Sequence, residues 1–302
     1  MMGNFLISIV GPTAIGKTSL SIKLAKYFNT EIISADSRQF YKEMQIGTAA
    51  PTPTELASVK HHFIQHKSVE DNYNVGAFEK DAIERLNQLF KSNKIVVMVG
   101  GSGLYLDAVT KGLDYFPDID PIIREGLNKR LKIEGLSALQ GQLKELDIKA
   151  YNSIKIDNPH RVIRALEVCI GTNKPYSTFL NKTKTKRSFK VIAIGLSADR
   201  KIIYDRINKR VDHMINEGLL EEVKTLIPYQ NLNALNTVGY KEIFNYLKKE
   251  WTLDFAISEI KKNTRRFAKR QLTWFKKTDC IKWFDYQTNI KKIINSIEKE
   301  LK

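Results

Sequence analysis

Apolar residues fall along this chain in two rhythms. Short, β-branched runs at Phe5 to Val10, Glu31 to Ser34, Ile95 to Val99, Lys190 to Leu196 and Ile281 to Phe284 have the length of strands. Longer segments between them repeat apolar residues at helical spacing, as at Lys17 to Phe28, Arg200 to Leu226, Gly239 to Lys249 and Leu253 to Lys276. Strands alternating with helices predict an α/β fold: a mostly parallel sheet flanked by helices, with ligands beyond the carboxyl ends of the strands. From about Pro121 to Arg187 the strand rhythm stops. Leu127, Leu131, Leu136, Leu139, Leu143 and Leu146 mark one or two amphipathic helices, and Arg161 to Ile170 marks another. Thr172 to Lys190 reads as a basic loop carrying Lys182, Lys184, Lys186, Arg187 and Lys190. The pattern divides the chain into an α/β core, residues 1–118 and 189–302, and a small helical insertion domain, residues 119–188.

One octapeptide gives the fold a chemistry. Gly11-Pro12-Thr13-Ala14-Ile15-Gly16-Lys17-Thr18 follows the first strand and opens the first helix, the context in which G-x-x-x-x-G-K-[ST] forms a P-loop. Its glycines let successive backbone N–H groups face phosphate oxygens, Lys17 adds a positive charge, and the Thr18 hydroxyl can ligate Mg²⁺. The sheet is therefore expected to be P-loop NTPase-like. The motif leaves open which phosphate compound is held, and whether it is hydrolysed, transferred or displaced.

Two further strand ends narrow that choice. The second strand runs into Asp36, which would sit on the P-loop side of the sheet as a Mg²⁺ ligand, a general base, or a cap for a following helix. The third runs into Gly100-Gly101-Ser102-Gly103 where an ATPase would place a Walker-B Asp, which weakens the hydrolase reading. Glycines there would allow a ligand to approach closely, with the Ser102 hydroxyl beside it.

The formal charge of +16 is concentrated downstream. Residues 1 to 120 carry 12 Lys and Arg against 13 Asp and Glu, whereas residues 121 to 302 carry 37 against 20. Such a surplus favours a polyanionic partner, because neutralised phosphates release condensed counterions. Its densest part, Lys261 to Lys277, holds eight basic residues and no acidic one. On a helix Arg266, Arg270 and Trp274 share a face, with Phe267 and Leu272 turned elsewhere into the core. A cationic stripe ending in an exposed indole suits backbone phosphates and a stacked base. Cys169 and Cys280 are the only cysteines and lie far apart in sequence, which excludes a disulfide framework and a four-thiolate zinc site; both are expected to be buried and inert. No run reaches the length of a membrane span, and Met1-Met2-Gly3-Asn4 leads into the first strand without a charged leader, so a cytoplasmic protein without membrane partners is expected.

Eight boxes then stand in a fixed order: Gly11 to Thr18, Asp36 to Tyr41, Gly47-Thr48-Ala49, His61-His62-Phe63, Gly100 to Tyr105, Asn158 to Val168, Val238-Gly239-Tyr240-Lys241 and Thr264 to Phe275. In this order, over nearly the whole chain, the sequence resembles the bacterial tRNA dimethylallyltransferases, also called tRNA isopentenyltransferases. Phe40 stands where that family more often has Val, and His160 where it usually has Gln.

The resemblance implies transfer of a dimethylallyl group from dimethylallyl diphosphate to N6 of the adenosine 3′ of the anticodon, with diphosphate as leaving group and Mg²⁺ as cofactor. Gly11, Pro12, Thr13, Ala14, Ile15, Gly16, Lys17 and Thr18 would then hold diphosphate, through the backbone N–H groups of residues 13 to 18 among others. Arg210 would add a second cation, Thr18 would hold the metal, and Asp36 would serve as general base. The tRNA contacts it implies are Asp36, Ser37, Arg38, Gln39 and Ser102 near the base; Arg124, His160, Arg161, Val162, Ile163 and Arg164 on the insertion; and Tyr240, Lys241, Lys269, Arg270, Gln271 and Trp274 around the anticodon arm. A monomer is expected. His61 and His62 read as structural. Three other readings keep the P-loop: an isopentenyltransferase acting on free adenine nucleotides, a P-loop nucleoside kinase that binds ATP, and an RNA-binding protein whose P-loop is a passive phosphate site, against which the intact Lys17, Thr18 and Asp36 argue.

Overall fold

The computed structural model describes residues 3–180, 186–278 and 280–301. Lys182 and Lys184 of the expected basic loop lie outside them. The chain divides into two compact units, Met1–Lys111 with Arg187–Lys302, and Gly112–Lys186. From sequence the bounds fell at 118/119 and 188/189.

In the larger unit the strands are β1 (Asn4–Val10), β2 (Ile32–Ser34), β3 (His61–His62), β4 (Ile95–Val99), β5 (Phe189–Ser197) and β6 (Ile281–Asp285). They form one parallel sheet in the order β3-β2-β4-β1-β5-β6. Because every strand points the same way, the loops after β1, β2 and β4 emerge at one edge, and β4 lies between the other two. From Phe5 to Val10 β1 is apolar apart from the buried Ser8, because both its faces are covered. Phe5, Ile7 and Ile9 enter one core cluster with Leu24, Ile194, Ile207 and Ile294, while Leu6 and Val10 enter another with Phe78, Leu86 and Met98. β3 is two residues long, too short for a run of apolar residues to reveal it.

Helices α1 (Lys17–Tyr27), α2 (Pro53–Ser58), α3 (Val75–Leu89) and α4 (Gly103–Lys111) precede the smaller unit. That unit contains α5 (Pro121–Leu146), α6 (Ile148–Ser153) and α7 (Pro159–Thr172) around a core of Leu127, Leu139, Leu143, Val162 and Leu166. α5 is two helices joined at Gly135, whose φ of 79° and ψ of 175° are not helical. After the smaller unit come α8 (Arg200–Asn216), α9 (Leu219–Thr225), α10 (Tyr240–Leu247), α11 (Leu253–Phe275) and α12 (Ile290–Leu301). The single apolar pattern read from Arg200 to Leu226 is in fact α8 and α9, parted by Gly218 at a φ of 100°. A third cluster, with Tyr41, Met44, Val211, Leu219, Val223, Tyr240 and Phe244, packs α8, α9 and α10 beneath the segment that follows β2. Cys169 is buried but Cys280 is exposed, which corrects the expectation of two enclosed thiols.

Candidate active site

The P-loop is held from behind by groups far away in the sequence. Gly11, at a φ of 145°, lies so close to β5 that a Cβ would stand 2.6 Å from the Leu196 carbonyl oxygen. Gly16 turns the chain into α1 with a φ of 107°. Arg206 of α8 donates to the Ala14 carbonyl at 2.7 Å, and the Thr13 amide donates to Gln271 Oε1 at 2.8 Å. The Thr13 amide is therefore occupied, a correction to the expectation that all amides from 13 to 18 face the ligand. Lys17, Thr18 and Ser19 form the first turn of α1, where no carbonyl lies one turn earlier to receive their N–H groups. Gly11, Pro12, Ala14 and Ile15 are buried and offer backbone only.

Lys17 donates to the Pro12 carbonyl at 2.7 Å. Burial lowers its ammonium to about 7, with Asp36 opposing the shift and Arg210 adding to it. Arg210, on α8, reaches Thr13 Oγ1 at 3.4 Å, and its pKa is also lowered, by burial first and by Arg206 second. Three cations thus converge on one loop, a potential that an entering anion would relieve.

Asp36 stands where two cavities meet. The first, about 610 Å³, is lined by the P-loop from Thr13 to Ser19, Asp36, Arg210, and Ile46 to Pro53 excluding Gly47. The second, about 560 Å³, is lined by Asp36, Ser37, Arg38, Ser102, Lys241, Phe267 and Arg270, among others. Thr13, Asp36, Thr48, Ala49, Arg210 and Met214 belong to both walls. Asp36 Oδ1 accepts from the Arg38 amide at 3.1 Å, closing a turn; no helix follows, so the helix-capping alternative falls away. Ser37 and Ser102 hydroxyls lie 3.2 Å apart, the Ser37 amide donates to Ser102 Oγ at 3.3 Å, and Arg38 donates to the Asn233 carbonyl. Gln39 donates to the carbonyls of Thr48 and Ala49.

The glycines after β4 serve the protein's own packing. A Cβ on Gly100 would stand 2.5 Å from the Ala35 carbonyl oxygen, one on Gly101 2.3 Å from Gln271 Nε2, and one on Gly103 2.4 Å from the Trp274 ring. This corrects the reading that they leave room for a ligand. Gln271 is 6% exposed and also donates to the Gly101 carbonyl at 2.9 Å, so it ties the Gly-rich loop to the P-loop and offers nothing to a surface partner. Trp274 keeps 41% of its surface exposed, but its indole Nε1 donates to Asp107 Oδ2 at 2.9 Å and its ring covers Gly103. Phe267, expected in the core, is 37% exposed in the second cavity wall with the Arg270 guanidinium 5.8 Å from its ring centroid. Arg266, Lys269 and Arg270 are exposed on the same helix.

Tyr240 is another correction. It is fully buried, and its hydroxyl donates to Glu222 Oε1 at 2.7 Å, so it cannot grip tRNA. Burial and the Glu222 charge push its phenol well above the usual range. Lys241, the next residue, is exposed in the second cavity. Glu222 and Arg206 are contributors that no spacing motif announced. Each is one polar residue on an ordinary amphipathic helix, and only the chain it reaches distinguishes it.

Within the smaller unit, His160 and Arg161 are exposed at the start of α7, whereas Val162 and Ile163 are core residues and cannot touch RNA as expected. Arg124 pairs with Glu167 through two bonds of 3.1 and 2.7 Å, and Arg164 reaches the same carboxylate at 2.9 Å.

Among the described residues no three His, Cys, Asp or Glu side chains gather into a metal cage. His61 and His62 form the edge strand, with His62 Nε2 at 2.5 Å from Glu31. The Thr18 hydroxyl and the Asp36 carboxylate line one cavity, a sparse oxygen set that fits Mg²⁺, which keeps several waters and takes further ligands from substrate phosphates.

Residues 39–278 match the IPP transferase family model. The chain belongs to that family. It is 61% identical over 300 residues to the tRNA dimethylallyltransferase of Christiangramia forsetii, covering 99% of each chain. Among solved structures it resembles the full-length tRNA isopentenylpyrophosphate transferase of Bacillus halodurans, at 38% identity and a TM-score of 0.73 over 99% of this chain and 97% of that one. It also resembles a eukaryotic dimethylallyltransferase acting on tRNA, at 26% identity and a TM-score of 0.83 over 98% of this chain and 79% of that one.

Proposed function

We propose that this protein transfers a dimethylallyl group from dimethylallyl diphosphate to N6 of the adenosine 3′ of the anticodon in tRNA, releasing diphosphate. The observation that carries the reading is Asp36 in the shared wall of the two cavities, one with the P-loop at its base and the other lined by Arg38, Lys241 and Arg270. Breaking the allylic C–O bond builds negative charge on the diphosphate. The open amides at the start of α1, Lys17 and Arg210 stabilise that charge as it develops. The Thr18 hydroxyl would hold Mg²⁺, which would supply further positive charge to the same leaving group.

The exocyclic amine of adenine is a poor nucleophile because its lone pair is delocalised. Asp36 takes its proton as the N–C bond forms. One Asp36 oxygen is held by the Arg38 amide, which fixes the carboxylate while leaving the other oxygen for the amine. The adenine enters the second cavity extruded from the anticodon loop, where Phe267 offers an exposed ring and Ser37, Arg38, Ser102, Lys241, Lys269 and Arg270 supply polar contacts to RNA. His160, Arg161, Arg124 and Arg164 serve the tRNA from the smaller unit. The protein acts as a monomer in the cytoplasm. Among the described residues no helix is long and apolar enough to cross a membrane.

The test is incubation with Mg²⁺, labelled dimethylallyl diphosphate and either unmodified tRNA or AMP. Label on tRNA at the adenosine 3′ of the anticodon is expected. Label confined to AMP, or ATP turnover without label transfer, would sink the assignment.

A further inference from the structure

The segment after β2 forms a wall of both cavities, and it is fixed by one carboxylate. Glu222, on α9, accepts the amides of Gln45 at 2.9 Å and Ile46 at 2.7 Å on Oε2, and that of Gly47 at 2.9 Å on Oε1. Oε1 also accepts the Tyr240 hydroxyl at 2.7 Å. Three consecutive N–H groups pointing at one carboxylate hold a short stretch of backbone in a single curved form, the arrangement by which loops bind anions. Here the anion is the protein's own.

The rest of the segment agrees with this. A Cβ on Gly47 would stand 2.5 Å from the Tyr240 ring, so the loop lies directly on that phenol. Thr48 Oγ1 donates to the Met44 carbonyl at 2.5 Å, and Gln39 Nε2 holds the Thr48 and Ala49 carbonyls from the other side. The residues so fixed, Thr48 and Ala49, are among the six shared by the two cavities. Glu222 itself lines neither.

We infer that Glu222 is a positioning residue for prenyl transfer: it presents residues 45–49 as the partition that aligns the prenyl donor with the acceptor amine beside Asp36. The inference rests on the transfer reading above. It separates two kinds of binding. The P-loop grips diphosphate through α1 and Lys17, which Glu222 does not touch, whereas orientation of the prenyl chain depends on the partition. Aligned substrates react faster because the geometry of attack is set before the chemical step.

The experiment compares full-length wild type, Glu222→Gln and Tyr240→Phe. Glutamine keeps the size but turns an amide donor toward the backbone N–H groups. In Glu222→Gln we expect amide exchange at residues 45–47 to rise at least tenfold, while β1 and α1 stay protected. We expect kcat/KM for dimethylallyl diphosphate and tRNA to fall about 10- to 100-fold, while Kd for inorganic diphosphate changes less than twofold. Tyr240→Phe, which leaves the three backbone bonds, should cost less than fivefold in kcat/KM. If Glu222→Gln loses diphosphate affinity or β1 protection together with activity, the role is general stability and the inference fails. It fails also if the exchange at 45–47 or kcat/KM is unchanged, or if Tyr240→Phe costs as much as Glu222→Gln. A wild type without transfer activity would refute the functional reading instead, and leave the exchange measurement to judge the loop.

Discussion

The two cavities that share Asp36 are built on opposite principles. The P-loop cavity presents mainly backbone: Gly11, Pro12, Ala14 and Ile15 are buried, and what opens into the space is the first turn of α1 with Lys17 and Arg210. The second cavity presents side chains, and its family motifs mix those that line the space with those that brace it. Lys241 lines it while Tyr240, its neighbour, is buried on Glu222. Arg270 lines it while Gln271 bridges Thr13 to Gly101. Residues that recur together in a motif therefore need not do the same work. In the first cavity the loop itself follows a fixed spacing, so spacing is enough to find the loop but not Arg210, Arg206 or Gln271 beside it; in the second, touching and bracing alternate residue by residue.

The sharpest way to test this contrast is at the boundary. Asp36→Ala should lower kcat by about 10² to 10⁴ while diphosphate affinity, measured by calorimetry, stays within a fewfold. Loss of affinity in step with kcat would mean that the two cavities are not separable at Asp36.

A second test addresses the backbone cavity through pH. Burial lowers free Lys17 to about 7, and a bound anion favours its charged form, so binding takes up a proton above that pH. The difference in diphosphate affinity between wild type and Lys17→Met, in which the ligand's own titration cancels, should be constant below pH 7 and shrink by up to about tenfold per unit above it. A difference that does not change with pH would place the proton elsewhere.

The third pair compares a brace with a lining residue. Gln271→Ala leaves the Thr13 amide and the Gly101 carbonyl without their partner, so it should cost about 1–3 kcal/mol of stability by denaturant unfolding and weaken diphosphate binding. Arg270→Ala should leave both intact, weaken tRNA binding several-fold and reduce the slope of log K against log salt by about 0.7–0.9. If Gln271→Ala affected only tRNA, the brace assignment would be wrong.

The smallest effect concerns His66. Its ring meets Phe40, Phe63 and Tyr73 edge-on, both its nitrogens are buried without hydrogen-bond partners, and burial lowers its pKa to about 4. Since an unfolded His titrates near 6.5, the unfolded chain binds more protons between about pH 6.5 and 4. Stability should therefore rise with pH from about 4 to 6.5, being lost as pH drops through that window, and His66→Phe should flatten the dependence. An unchanged slope would remove His66 as its source.

The sheet was legible because β1, β2 and β4 are short runs buried almost throughout, and β5 and β6, though partly exposed, still carry enough β-branched and aromatic residues to mark them; β3 escaped because two residues form no run. The P-loop was legible because its function is spacing. Much of the rest was not, for a physical reason. Whether Phe267 faces core or cavity depends on which neighbour of α11 covers it, and helical periodicity places both faces without saying what lies beyond either. The glycines at 100, 101 and 103 could be seen, but not that Ala35, Gln271 and Trp274 fill the space above them. Glu222 looks like any solvated carboxylate on α9 until the amides of residues 45–47 arrive from another part of the chain.

The bond between the Thr13 amide and Gln271 spans 258 positions. On a ribosome adding about 5–20 residues per second, the P-loop is complete in sequence roughly tens of seconds before its brace exists. During that interval β1 also lacks β5, its neighbour on one side, and Arg206 has not yet reached Ala14. A nascent chain thus carries the motif without the site. The brace on Thr13 is completed only near the end of synthesis, when α11 reaches a loop made at the beginning.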